Sequence, residues 1–107
     1  MKCVTPLVAM MTFVASMASA QDLAGKGKEV YTAQKCNVCH SIAGTGNKKG
    51  ALDGIGAKLS ADDIRSWITD APAMAAKAKA ERKPPMKASV LAKNDLDALV
   101  AYIQTLK

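Results

Sequence analysis

The chain has 107 residues, with 15 Lys and Arg against 9 Asp and Glu, a formal net charge of +6. That length allows one domain with a modest core, a size at which small proteins lean on a staple or a cofactor. Nothing in it resembles a nucleic-acid module, so the basic balance points instead to acidic protein surfaces as partners.

Residues 1–20 read as a Sec-type signal peptide, cleaved from the mature protein. Lys2 gives a positive start, 7–18 is apolar, and Ala18-Ser19-Ala20 forms an A-x-A site before Gln21. The run is too short and wrongly flanked for a retained membrane span, although an uncleaved anchor is the other reading of the same residues. Cys3 precedes the apolar run and is expected to leave with the signal. The mature protein is then a single domain, 21–107, exported to the periplasm and carrying no membrane span.

The first helix is expected over 22–36, with Val30 and Ala33 apolar and Tyr31 beside them. It leads into Cys36-Asn37-Val38-Cys39-His40, a C-x-x-C-H sequence. That spacing is the attachment signature of c-type haem. Residues at i, i+3 and i+4 share one helical face. Two thiols there can close thioether bonds to the vinyl groups at one porphyrin edge, and the neighbouring imidazole can bind the iron from one side. His40 is the only histidine in the chain. Three other readings of the cysteine pair remain: a redox dithiol, part of a zinc site, and a plain disulfide. A thioredoxin-like dithiol belongs near a βαβ pattern, which is missing here. A structural zinc site needs four ligands, and Cys36, Cys39 and His40 supply at most three. Export leaves the disulfide open.

Five glycines between Ser41 and Gly56 predict a loop. Ser60-x-x-Asp63 has the form of a capping box opening a helix over 60–69, with Ile64, Trp67 and Ile68 on one face. Pro72 ends that helix or starts the next turn. An Ala- and Lys-rich stretch over 74–83 is expected to be helical and to stop at Pro84-Pro85. The last helix is expected from about Asn94 to the C-terminus, with Leu96, Leu99, Val100, Ile103 and Leu106 in one stripe. No alternating strand is visible, so the fold class is all-α. With one cysteine pair, one haem is expected.

A second iron ligand follows by elimination. No spare histidine exists, and methionine is a known partner to histidine on haem iron. The candidates in 21–107 are Met74 and Met86. Met86 follows Pro84-Pro85 in an irregular segment, where a side chain can be aimed inward. Met74 lies in a helical stretch, where core filling is the ordinary role of a methionine. Met86 is the expected ligand.

These features together resemble a bacterial class I cytochrome c, a monohaem protein with His/Met ligation, over essentially the whole of 21–107. The likeness rests on Gly27-x-x-x-Tyr31, on Cys36 to His40, on Leu52-Asp53-Gly54-Ile55-Gly56, on Pro84-Pro85-Met86, and on Tyr102 in the last helix. The resemblance implies helices packed around one covalent haem c, with His40 and Met86 as metal ligands. It implies that Gly27 lets the first and last helices cross closely, with Tyr31 and Tyr102 near the contact. It also implies that Trp67 donates its indole N–H to a haem propionate; an amphipathic core tryptophan is the alternative. One departure stands out. The family's usual Gly-Pro, whose carbonyl accepts the far proton of the axial histidine, is Lys49-Gly50 here. A Gly50 carbonyl can accept the same bond without a proline's rigidity.

The expected function is a soluble exported one-electron carrier. An iron ligated on both sides has no open position, so enzymatic turnover is not expected. The partners are redox proteins with acidic docking faces, steered by Lys77, Lys79, Arg82, Lys83 and Lys87 with Lys35, Lys48 and Lys49. The bland reading of those charges is a solvated surface. Two alternatives accompany this one: a haem c subunit of a periplasmic oxidoreductase complex, and a ligand-binding or peroxidase-like haem protein. The chain is then a monomer or a subunit of a hetero-complex.

Overall fold

The computed structural model describes residues 15–107. Residues 1–14 lie outside that part, and with them Cys3 and most of the expected signal segment. Helix α1 spans Ala15–Ala33, so its backbone runs through the expected cleavage position before Gln21. The others are α2, Ile55–Lys58; α3, Ala61–Thr69; α4, Ala71–Ala78; and α5, Lys93–Gln104. Among the described residues no helix is long and apolar enough to cross a membrane.

The core forms where α1 crosses α5. A Cβ at Gly27 would run into the Ala98 carbonyl and come within 2.6 Å of the Tyr102 Cβ. Only a glycine lets the two backbones approach this closely. Val30 and Tyr31 of α1 then bury against Leu99, Val100 and Ile103 of α5, and Ile64 and Ile68 of α3 complete the cluster. The Tyr31 and Tyr102 rings meet edge to face at 6.0 Å and 65°, an arrangement that suits their quadrupoles. Lys26 and Asp95 bridge the exposed rim at 3.4 Å, where an ion pair adds little.

Helix α3 starts as its sequence predicts, because the Ser60 hydroxyl accepts the Asp63 N–H at 3.1 Å. Arg65 then reaches Asp97 at 2.7 Å and ties α3 to α5. Pro72 lies in the first turn of α4, where its missing N–H removes no helical bond. Helix α4 ends earlier than expected over 74–83. Lys79 adopts a left-handed conformation at φ 53°, and the Ala80 N–H returns to the Ala75 carbonyl at 2.9 Å. That is a Schellman-type end with lysine in the glycine position. Pro84 beyond it disfavours helix at Lys83 in any case.

The expected loop over 41–56 is more ordered than its glycines suggest. β1, Ser41–Ile42, pairs antiparallel with β2, Thr45–Gly46. Ala43 and Gly44 join them at φ 51° and 82°, the signs of a type I′ hairpin turn. This minimal pair corrects the expectation of no strand, since two residues per strand are too few to show alternation. The class stays all-α. Farther on, the Gly56 N–H donates to the Leu106 carbonyl at 2.8 Å and docks α2 on the end of α5.

Gly27→Ala should lower stability by about 1–3 kcal/mol through overpacking. Gly25 is the matched control, because a Cβ there meets nothing within 4 Å. Gly25→Ala should raise stability by about 0.5–1 kcal/mol through helix propensity. Denaturant midpoints of the two variants are the measurement, and equal shifts would remove the steric account of the crossing.

Candidate functional site

The cysteine pair sits in the turn that follows α1. Lys35 takes a left-handed conformation at φ 57°, and Cys36–Val38 form a short 3₁₀ turn. The Cys39 and His40 N–H groups both return to the Cys36 carbonyl, at 3.1 and 2.9 Å. This double return places the two cysteines and the histidine in one tight turn. Cys36 is half-buried and packs against the core, whereas Cys39 is exposed. Both thiols are free. Burial pushes the Cys36 thiol up, its own backbone N–H opposes that, and Cys39 adds to it.

His40 is held by its inner nitrogen. Its Nδ1 lies 2.9 Å from the Gly50 carbonyl oxygen. A carbonyl only accepts, so Nδ1 carries the proton and donates. The lone pair is then on Nε2, which fixes the tautomer and the direction of the free nitrogen. Burial lowers the His40 pKa, the Gly50 bond opposes this, and the Arg82 charge lowers it further. A depressed pKa keeps the imidazole neutral, as a metal ligand must be. The bond that the Lys49-Gly50 departure put in question is therefore present.

Asn47 and Arg82 hold this arrangement, and the sequence reading assigned no such role to either. The Asn47 N–H donates to the carbonyls of Asn37, at 3.1 Å, and His40, at 2.9 Å. Its amide Nδ2 donates to the Val38 carbonyl at 3.1 Å, and its Oδ1 accepts the Lys49 N–H at 3.1 Å. One residue thus stitches the cysteine turn to the Lys48–Gly50 turn that carries the histidine's acceptor. Gly46-Asn47 is a turn-forming pair that the sequence does display, but its partners ten residues upstream are invisible there. Arg82 Nη2 donates to the Cys39 carbonyl at 2.6 Å.

The remaining candidates are Trp67, Met74 and Met86. Trp67 on α3, Met74 on α4 and Met86 are each half-buried, and among the described residues none packs against the core cluster. Burial therefore does not separate the two methionines, but their backbones do. Met74 is inside α4. Met86 lies in irregular chain between Arg82, bound to Cys39, and Ser89, whose N–H donates to the Ile68 carbonyl at 2.8 Å. The segment thus runs from the cysteine turn to the end of α3, next to Trp67.

This donor set suits a c-type haem. Two thiols and one neutral imidazole share a turn, and the segment that carries Met86 is tied to that turn through Arg82. It suits zinc poorly. Among the described residues, no three His, Cys, Asp or Glu side chains are grouped to hold a metal ion, and a structural zinc needs four donors. The Tyr31 hydroxyl is buried without a partner among the described residues. Its pKa is raised by burial first and by Cys36 second.

Asn47→Ala should cost about 0.5–2 kcal/mol, as the loss of a capping side chain does. It should also speed amide exchange at the Asn37–His40 turn. Asn47→Asp keeps the acceptor for Lys49 and loses the donor to Val38, so it should recover only part of the loss. Residue-resolved hydrogen exchange reads both effects, and protection unchanged in the alanine variant would discount the stitch.

The cytochrome c family model matches residues 24–107. No curated protein and no solved structure matches the chain. A cytochrome c domain implies covalently attached haem c and electron transfer through it, which agrees with a C-x-x-C-H turn whose imidazole presents one free nitrogen. By this match, which runs from the first helix to the last residue, the chain belongs to the cytochrome c family.

Proposed function

We propose that the mature protein is an exported one-electron carrier with a single haem, held by thioethers to Cys36 and Cys39 and ligated by His40 and Met86. The observation that carries this reading is the His40 Nδ1 bond to Gly50, which leaves Nε2 as the one imidazole nitrogen free to bind iron. Bound haem supplies an iron that changes by one electron between ferric and ferrous states. The chain's own residues do the rest. Cys36 and Cys39 fix the ring edge on the turn, and Gly50 keeps His40 oriented and electron-rich. Met86, with a soft thioether, would be the second ligand to the iron and would raise its potential. Trp67 would donate its indole N–H to a haem propionate. With His40 and Met86 both holding the iron, the protein would pass electrons without binding a substrate there, as a carrier rather than an enzyme.

Export to the periplasm rests on the signal-like segment over 1–20, with cleavage before Gln21. A partner with an acidic face is supported by charge placement. Lys35, Lys48, Lys49, Lys77, Lys79, Lys83 and Lys87 are all exposed. Among the described residues the ion pairs are Lys26–Asp95 and Arg65–Asp97, which use none of them. That free positive charge flanks the cysteine turn and the Met86 segment in sequence and favours steered, transient docking.

Met86→Ala should open the iron, lower the potential, admit carbon monoxide quickly and abolish the charge-transfer band of methionine–ferric ligation. Met74→Ala should keep that band and lose only packing. Visible spectra of the two haem-loaded variants decide between them. The reverse pattern would move the ligand to Met74, and a band absent already from the unmutated protein would leave methionine off the iron.

Electron transfer to the native partner should slow steeply with salt, because the Debye length falls from about 10 Å at 0.1 M to about 3 Å at 1 M. Lys83→Glu or Lys87→Glu should slow association more than transfer within the complex. Stopped-flow rates against ionic strength test this, and a flat profile would return the lysines to a merely solvated face.

A further inference from the structure

Between the end of α4 and the start of α5, residues 81–91 are held to the rest of the described fold by two hydrogen bonds. One is the backbone bond from Ser89 to Ile68. The other is the side-chain bond from Arg82 to the Cys39 carbonyl at 2.6 Å. Met86 lies between them. The Arg82 tie is the one that depends on a side chain.

The guanidinium does more than reach Cys39. A Cβ at Gly50 would lie 2.9 Å from the Arg82 Cζ and would also run into the Cys39 carbonyl. Arg82 therefore occupies the space that a side chain at Gly50 would fill. Gly50 is the residue whose carbonyl accepts from His40. One planar group thus touches the peptide that precedes His40 and the residue that orients its ring. A guanidinium can make such a contact, because its flat fork stacks on one peptide while donating to another; a lysine ammonium is a point charge on a flexible stem. The exposed lysines of the same segment are not substitutes for it.

Resting on the His40 and Met86 reading above, we propose that Arg82 is a positioning residue that locks the two axial segments together. It steadies the Gly50 carbonyl under His40, in place of the rigidity a proline would give. It also holds the strap over 82–89 closed across the Met86 side. Loss of the guanidinium therefore loosens both sides of the iron at once, although Arg82 touches neither ligand atom.

The test uses the haem-loaded protein with Arg82→Gln, Arg82→Lys and, as a distant control, Arg65→Gln, which breaks the half-buried Arg65–Asp97 pair. Two rates are read: uptake of added imidazole by the ferric form, and solvent exchange of the His40 Nδ1 proton by NMR. Both should rise about tenfold in Arg82→Gln, the scale of a lost charge-assisted hydrogen bond discounted for exposure. Arg82→Lys keeps the charge and should behave like the glutamine variant, while Arg65→Gln should change neither rate. Wild-type rates in both Arg82 variants would overturn the proposal, as would an equal rise in Arg65→Gln, which would mark a global loss of stability. If the wild type itself lacks the methionine–iron band, the Met86 reading falls and the strap's role with it. The Nδ1 exchange rate then still decides whether Arg82 steadies His40.

Discussion

The crossing of α1 over α5 at Gly27, too close for a Cβ, is the contact around which the rest of the fold is arranged. With no side chain there, the α1 backbone rests on the Ala98 carbonyl. That contact turns Val30 and Tyr31 inward onto Leu99, Val100 and Ile103. The turn carrying Cys36 and Cys39 begins two residues after α1 ends, at the left-handed Lys35. From the other end of α5, the Leu106 carbonyl accepts Gly56 and anchors the far side of the loop that returns to His40. The two ends of the attachment loop are thus referred to one pair of helices. A chain this short has little apolar core to spare, so one rigid contact that serves both ends is an economical way to define a site.

The site itself is built from backbone more than from side chains. The carbonyls of Asn37, Val38, Cys39, His40 and Gly50 each accept a bond from Asn47, Arg82 or His40. Carbonyls satisfied in this way hold the turn without demanding particular side chains at those positions. The net effect on His40 is chemical as well as geometric. Burial and the Arg82 charge favour the neutral imidazole, and the Gly50 bond selects which nitrogen is bare. A neutral imidazole with one committed nitrogen is ready to ligate a metal without rearranging.

The structure also explains why a proline is dispensable at the histidine's acceptor. Gly50 is flexible in isolation. Here the Cys39 carbonyl and the Arg82 guanidinium together fill the space on its Cβ side, so its freedom is limited by neighbours rather than by a ring. A glycine is also the residue that leaves room for that guanidinium. The departure from the family pattern and the arginine distant in sequence fit together as one feature.

Much of this protein was legible in the residue order. Cys36, Cys39 and His40 announce their chemistry through spacing, because i, i+3 and i+4 positions share a face in any tight right-handed turn. Local rules also placed α3, through the Ser60 cap, and α5, through its apolar stripe, since caps and periodicity act within a few residues. The early end of α4 escaped, because alanine and lysine favour helix locally while the chain beyond is held elsewhere, at Cys39 and Ile68. The small hairpin escaped because two residues per strand carry no period. The roles of Asn47 and Arg82 depend on partners ten and forty-three positions away. Spacing along the chain determined which atoms can do the chemistry. Folding alone decided what holds them, because a hydrogen bond between distant residues leaves no periodic mark in the sequence.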